Sequence, residues 1–262
     1  MGEDRHRGRA EVGVFLKRVL TAHNGPEPVA RRVLYGRRKG RPLRAGQKAL
    51  LDTLLPRIGI DGDALRAPFD PRPLFGAGVS EVWLEIGFGA GEHLAAQARA
   101  RPDVGLIGCE PFINGVARLL AEIDAEGLDN VRILHDDARL LLAALGPETL
   151  GRAFVLFPDP WPKTRHHKRR VVGPETVDHL ARALADGAEL RIATDDPGYK
   201  GWILRHVLAH GAFEWTARRP GDWRARPAGW PGTRYEEKAG GAGRVPAFLT
   251  FVRRPRILRQ SS

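Results

Sequence analysis

The sequence predicts an α/β fold of Rossmann-like kind: a mostly parallel sheet with helices on both faces and an antiparallel hairpin strand at its C-terminal end. Three observations predict it. From Glu81 to His210, short apolar runs alternate with segments of helical periodicity, the pattern of a parallel sheet whose crossovers are helices. The run Val82-Trp83-Leu84 leads into Glu85-Ile86-Gly87-Phe88-Gly89-Ala90-Gly91, a strand ending in a glycine-rich turn. A second apolar run leads into Phe157-Pro158-Asp159-Pro160-Trp161-Pro162-Lys163, setting a carboxylate, a planar aromatic and a cation at another strand end. Ligands of open parallel sheets bind outside the carboxyl ends of the strands near the topological switch point, so both segments are expected to face one crevice.

The elements follow in order. Residues Met1 to Lys48 hold thirteen Lys/Arg against four Asp/Glu and read as a basic, partly flexible N-terminal arm; residues 49–262 read as a single catalytic domain. Leu50, Leu51, Leu54 and Leu55 fall at helical spacing and predict a helix over Gly46 to Ile60, ending near Pro56. The Pro- and Gly-rich stretch Pro68 to Gly78 marks a boundary before the core. Strands are expected at Glu81 to Ile86, Val104 to Cys109, Val131 to His135, Ala153 to Phe157 and Leu190 to Ala193. Between them lie helices around His93 to Ala100, Asn114 to Glu126, Ala138 to Leu145 and Thr176 to Leu184. A further helix, about Tyr199 to His210, precedes Phe213 to Thr216, which should pair as a hairpin with Pro246 to Arg253, a segment that alternates like an edge strand. The apolar-poor loop Ala217 to Arg244 between them is long enough to be functional.

Composition narrows the function. A chain of 262 residues can bury one sizeable core, and a net charge of +11 with pI near 10.6 calls for an anionic partner. Nine of the eleven excess charges lie in the arm. Its longest apolar stretch, Val12 to Leu16, is broken by Gly13 and too short for a signal-peptide core, and no stretch approaches the roughly 20 apolar residues of a membrane span. Cys109 is the only cysteine, which excludes an internal disulfide and a cysteine-based metal site, and the cytoplasm is the expected compartment.

The glycine turn carries the first chemistry. Its Gly87-x-Gly89-x-Gly91 spacing differs from the dinucleotide fingerprint, and Glu85 would repel a pyrophosphate while suiting a cationic, amine-bearing ligand. S-adenosylmethionine, with a sulfonium and an ammonium, has that character. Glu110 ends the second strand, where an acid accepts hydrogen bonds from ribose hydroxyls, and Asp136-Asp137 ends the third, placed to meet an adenine amino group. A solvated acid at a strand end is common, but three in register at successive ends argue for a ligand.

Asp159 carries the second. An Asp between two prolines often only makes a turn, yet here it ends a core strand, and Trp161 offers a face for a nucleobase. The run Lys163 to Arg170 follows with no acid, and its position at a strand end favours phosphate contacts over a merely solvated face. His166-His167 lack further ligands at suitable spacing, so no metal is expected.

Taken together, Arg37-Arg38-Lys39-Gly40 with Gln47, the Glu85 to Gly89 turn, Gly108-Cys109-Glu110-Pro111, Asp137-Ala138, the Phe157 to Arg170 block, Thr194-Asp195 with Tyr199, and Thr233-Arg234-Tyr235-Glu236 with Lys238 make the chain similar to the bacterial tRNA (guanine-N7)-methyltransferases from about Arg37 to Val252. That resemblance implies a class I methyltransferase sheet and methyl transfer from S-adenosylmethionine, leaving S-adenosylhomocysteine, to the guanine at position 46 in the tRNA variable loop. It implies cofactor contacts from Glu85, Gly87, Gly89, Gly91, Glu110, Asp137 and Asp159, with Asp159 also catalytic. Substrate contacts would come from Lys163, Asp195, Thr233, Arg234, Tyr235 and Glu236. The family's usual Trp after Thr-Asp is Asp196 here, and its common Phe before the last Glu is Tyr235. The expected partner is tRNA, with no membrane and no obligate protein partner, the chain acting as a monomer or homodimer.

Guanine N7 bears a lone pair and no proton, so the reaction needs positioning and stabilisation of charge moving from sulfur to purine rather than a base. Asp159 and Asp195 are candidates for that stabilisation, with Glu236 orienting the guanine edge. Three alternatives stay open from the residues: methylation of another RNA base; a nicotinamide-dependent dehydrogenase, which leaves the basic segments unexplained; and a non-catalytic RNA-binding protein, which leaves the strand-end acids unexplained.

Overall fold

A computed structural model describes residues 34–228, 230–232, 236, 240–241 and 243–256. The first thirty-three residues of the basic arm, and Thr233, Arg234 and Tyr235, lie outside them. The chain divides into two compact units, one running to Gly146 and the other from Pro147.

In the first unit two short helices, α1 (Ala45–Thr53) and α2 (Leu55–Ile58), replace the single helix expected over Gly46 to Ile60. Leu54 closes α1, and Pro56, with no N–H to give, sits in the first turn of α2, where that loss costs nothing. The chain beyond Gly59 then runs along the sheet: the Ile60 N–H donates to Ile133 O at 2.8 Å, adding a parallel bridge to the outer edge of β3. The strands β1 (Glu81–Ile86), β2 (Val104–Cys109) and β3 (Val131–Leu134) lie parallel in the order β3-β2-β1. Nearly every residue in them is buried, as befits a parallel sheet covered on both faces.

Between the strands run α3 (Glu92–Ala100) and α4 (Ile113–Glu126), and α5 (Ala138–Ala144) follows β3. Helix α4 buries Val116, Leu119, Leu120 and Ile123 at i, i+3, i+4 and i+7, and ends at Gly127 in the left-handed conformation.

The second unit contains β4 (Leu150–Leu156), α6 (Pro174–Ala183), β5 (Leu184–Thr194), α7 (Pro197–Ala209), β6 (Phe213–Trp215), the single-turn α8 (Gly221–Arg224) and β7 (Ala247–Arg253). Its strands run in the order β4-β5-β7-β6, with β4 and β5 parallel and β7 antiparallel to both neighbours. The predicted pattern, mostly parallel with antiparallel strands at the C-terminal end, is therefore found. One expectation is corrected: Ala247–Arg253 is an inner strand, and the edge belongs to β6. Pairing decides this: β5 bonds one side of the strand over Ala247 to Val252, and β6 bonds the other side over Phe251 to Arg253, while along the strand Leu249 and Phe251 are buried and Thr250 and Val252 are less so. Among the described residues no helix is long and apolar enough to cross a membrane.

Candidate active site

The glycine turn forms because β1 must reverse sharply into α3. Gly87, Gly89 and Gly91 all adopt positive φ (73°, 61° and 89°), a region closed to most side chains. Gly115, in the first turn of α4, completes the turn from the far side: a Cβ there would lie 1.9 Å from the Gly89 carbonyl oxygen. At Gly87 the same construction meets nothing within 4 Å, so the turn is open where a ligand would approach.

Glu110 locks this turn to α4. One carboxylate oxygen accepts the Gly89 N–H at 2.8 Å and the other accepts the Phe112 N–H at 2.9 Å, with the residue 8% exposed. Ahead of α4, Ile113 N–H donates to Arg38 O, and Asn114 receives Gly40 N–H at 2.7 Å while donating to Arg41 O. The basic Arg37 to Gly40 segment is thus docked at the helix start that Glu110 organises.

Glu85 is held from a direction that the sequence did not indicate. Its Oε2 lies 2.7 Å from Nδ1 of His93 on α3, both side chains almost fully buried, and His93 Nε2 meets Gln97 Nε2 at 3.3 Å. The signal was His93 itself, a polar residue amid the apolar positions of α3. Asp137 also has a partner: it caps α5 by accepting the Arg139 N–H at 3.0 Å, and the Arg139 guanidinium grips both its oxygens. Asp136 accepts the Asp137 N–H at 2.8 Å.

These acids act as one electrostatic feature. The Cys109 thiol at the end of β2 is pushed well up by burial first and then by the carboxylates of Asp137, Glu110 and Asp136. Three carboxylates thus gather around one buried group at the ends of β2 and β3, the charge of Asp137 being countered by the Arg139 guanidinium.

In the second unit Asp159 is exposed on the loop after β4, framed by two non-glycine residues at positive φ, Phe157 at 50° and Trp161 at 43°. Such backbone costs on the order of 1–3 kcal/mol per residue and collects at functional sites. The Trp161 ring is partly occupied: Arg169 lies 5.0 Å over it and His166 meets it edge-on at 5.9 Å. A base stacking on Trp161 has one face left at most.

The basic run divides. Lys163, Arg165 and Lys168 are exposed, whereas Arg170 is buried, giving its Nε–H to Pro160 O at 2.8 Å. Desolvation, then the cations Arg169, Arg165, Lys163 and Lys168, hold the His166 imidazole below its usual value. Asp195 pairs with Arg244 at 3.0 Å, and Glu236 with Arg226 at 3.5 Å.

A family model described as "Putative methyltransferase" matches residues 80–246, which span every element from β1 into the loop before β7. A tRNA (guanine-N(7)-)-methyltransferase of Rhodospirillum rubrum is 57% identical over 228 residues, covering 85% of this chain and 88% of the relative. The chain belongs to the tRNA (guanine-N7)-methyltransferase family. A second member, from Paramagnetospirillum magneticum, is 50% identical over 236 residues, covering 90% of this chain and 98% of its own. Among solved structures, the 16S rRNA methyltransferase KamB superposes with a TM-score of 0.52 at 19% identity, over 68% of this chain and 90% of that one, a likeness of fold. Membership removes the dehydrogenase and the non-catalytic alternatives. The structure gives Asp196, where the resemblance implied Trp, a local role: it is the N-cap of α7, accepting the Tyr199 N–H at 2.6 Å.

Proposed function

We propose that the protein transfers the methyl group of S-adenosylmethionine to N7 of guanine in tRNA, at position 46 of the variable loop, acting in the cytoplasm as a monomer or homodimer without an obligate protein partner. The observation that carries this reading is the set of acids at the ends of β1, β2 and β3 around an open glycine turn, in a chain of this family. The residues fit the cofactor: a Cβ at Gly87 would meet nothing within 4 Å, so that side of the turn is clear, and carboxylates suit the cofactor's cationic groups.

In this reading Glu85, Gly87, Gly89, Gly91, Glu110 and Asp137 hold the cofactor. Glu110 is fixed by two backbone N–H groups, which sets its carboxylate at the end of β2 where ribose hydroxyls would meet it. Bound S-adenosylmethionine supplies an electrophilic methyl group on a sulfonium. Asp159 contacts the cofactor and, as the catalytic residue, stabilises the positive charge that develops on the purine, with no proton to remove beforehand. Lys163 meets the tRNA backbone, Asp195 and Glu236 orient the guanine, and Thr233, Arg234 and Tyr235 complete the substrate contacts.

The test is incubation of the protein with unmodified tRNA and methyl-labelled S-adenosylmethionine, followed by mass spectrometry of the nucleosides. Labelled 7-methylguanosine is expected, and it should vanish with a transcript whose position 46 is not guanine. Label on another nucleoside would replace this reading with methylation of a different base.

A further inference from the structure

Arg170 closes a basic run whose chemistry favours phosphate, yet it does not share the exposure of its neighbours. It is 7% exposed, while Lys163, Arg165 and Lys168 face solvent. Its guanidinium lies 4.9 Å from the ring centroids of both Tyr199 and Trp202, and its Nε–H is spent on the Pro160 carbonyl. A guanidinium taken out of water is costly unless it is hydrogen-bonded and stacked, and here both compensations come from parts of the fold that matter to the site.

Pro160 is the residue after Asp159, inside the loop framed by Phe157 and Trp161 at positive φ. Tyr199 and Trp202 belong to α7, whose start carries Asp195 and Asp196. The same two rings hold the chain beyond Arg170: the Tyr199 hydroxyl accepts the Val172 N–H at 3.1 Å, and Trp202 Nε1 donates to Val172 O at 2.7 Å. Burial raises the Tyr199 phenol far above its ordinary value, which keeps it neutral in this role. The loop bearing Asp159 is therefore clamped to the helix that follows Asp195 through one side chain.

We propose that Arg170 is a positioning residue for methyl transfer: its guanidinium fixes the Pro160 carbonyl against α7, holds the strained loop in place, and thereby sets the Asp159 carboxylate, rather than contacting tRNA phosphate. The inference rests on the reading of Asp159 as the catalytic residue. Arg170→Lys keeps the charge and loses the planar fork that bonds and stacks together.

In the full-length enzyme with S-adenosylmethionine and tRNA, Arg170→Lys should lower kcat by about 10- to 100-fold, the loss that a displacement near 1 Å at a reacting group produces. The tRNA Kd and its salt slope should hold. Lys168→Ala, an exposed cation of the same run, should instead raise the Kd and flatten the slope. Adding guanidinium ion to Arg170→Ala should restore part of kcat, which generic damage to the fold would not allow. Where Arg170 variants do not fold, Trp202→Phe loosens the clamp from its other side and should give the same split.

An Arg170→Lys enzyme with unchanged kcat, or with a raised tRNA Kd and a shallower salt slope, overturns the proposal. Asp159→Asn assayed in parallel separates the two readings: turnover surviving there removes the catalytic role of Asp159, whereas an inactive Asp159→Asn beside a fully active Arg170→Lys removes only the clamp.

Discussion

Asp159 is exposed on its loop, while two of its neighbours hold backbone conformations that L-residues avoid. Its replacement should therefore spare the fold. Asp159→Ala is expected to abolish methyl transfer while leaving the thermal unfolding curve in place, and near-normal turnover in the folded variant would remove its role. Glu110 differs because its carboxylate serves both scaffold and ligand. Glu110→Ala should weaken S-adenosylmethionine binding by about 1–3 kcal/mol, the range for a charged hydrogen-bond partner, and should also lower Tm because the Gly89 and Phe112 N–H groups lose their acceptor. Calorimetry giving unchanged affinity would take Glu110 out of the site. At this scale sequence named the acids but not their partners. His93 and Arg139 carry no motif of their own, and Arg170 reads in its block only as one more cation of a basic run, since which histidine or arginine turns inward depends on packing that only the folded chain supplies.

The elements were more legible, because their signals are local. Strands β1 and β2 end where their apolar runs meet Gly or an acid, and the helices between them keep one apolar stripe. Legibility failed where pairing rather than periodicity decides: β7 alternates like an edge strand yet lies between β5 and β6, and β5 extends through a polar Asp186-Gly187 stretch that masks its start. The junction of α4 with the glycine turn gives the test proper to this scale. In Gly115→Ala the new Cβ would overlap the Gly89 carbonyl, so the turn or the helix must shift. Overpacking of this kind costs about 1–3 kcal/mol. Thermal unfolding should show the loss, and cofactor affinity should fall with it; a variant with wild-type Tm and affinity would show that the contact is slack. Asp196→Ala, by removing the α7 cap, should cost about 1 kcal/mol in chemical denaturation with m unchanged.

For the molecule as a whole, the excess of positive charge is a statement about partner and salt. Deleting Met1 to Gly36 removes seven Lys/Arg and four Asp/Glu, three of the eleven excess charges, while sparing the docked Arg37 to Gly40 segment. The truncated enzyme should show a higher KM for tRNA and a shallower salt dependence, with turnover at saturating tRNA nearly kept. Filter binding across a salt series that leaves affinity unchanged would mark the arm as a solvated tail.

The place of β7 bears on how the chain is made. Until residues 247–253 emerge from the ribosome, β5 presents an unpaired edge and β6 has no neighbour to join, so the second unit cannot close its sheet. A long bare edge is a template for pairing with another nascent chain. This protein's most exposed moment in biosynthesis thus falls after the residues of its glycine turn and of its Asp159 loop have all been translated, and it ends with the arrival of one seven-residue strand.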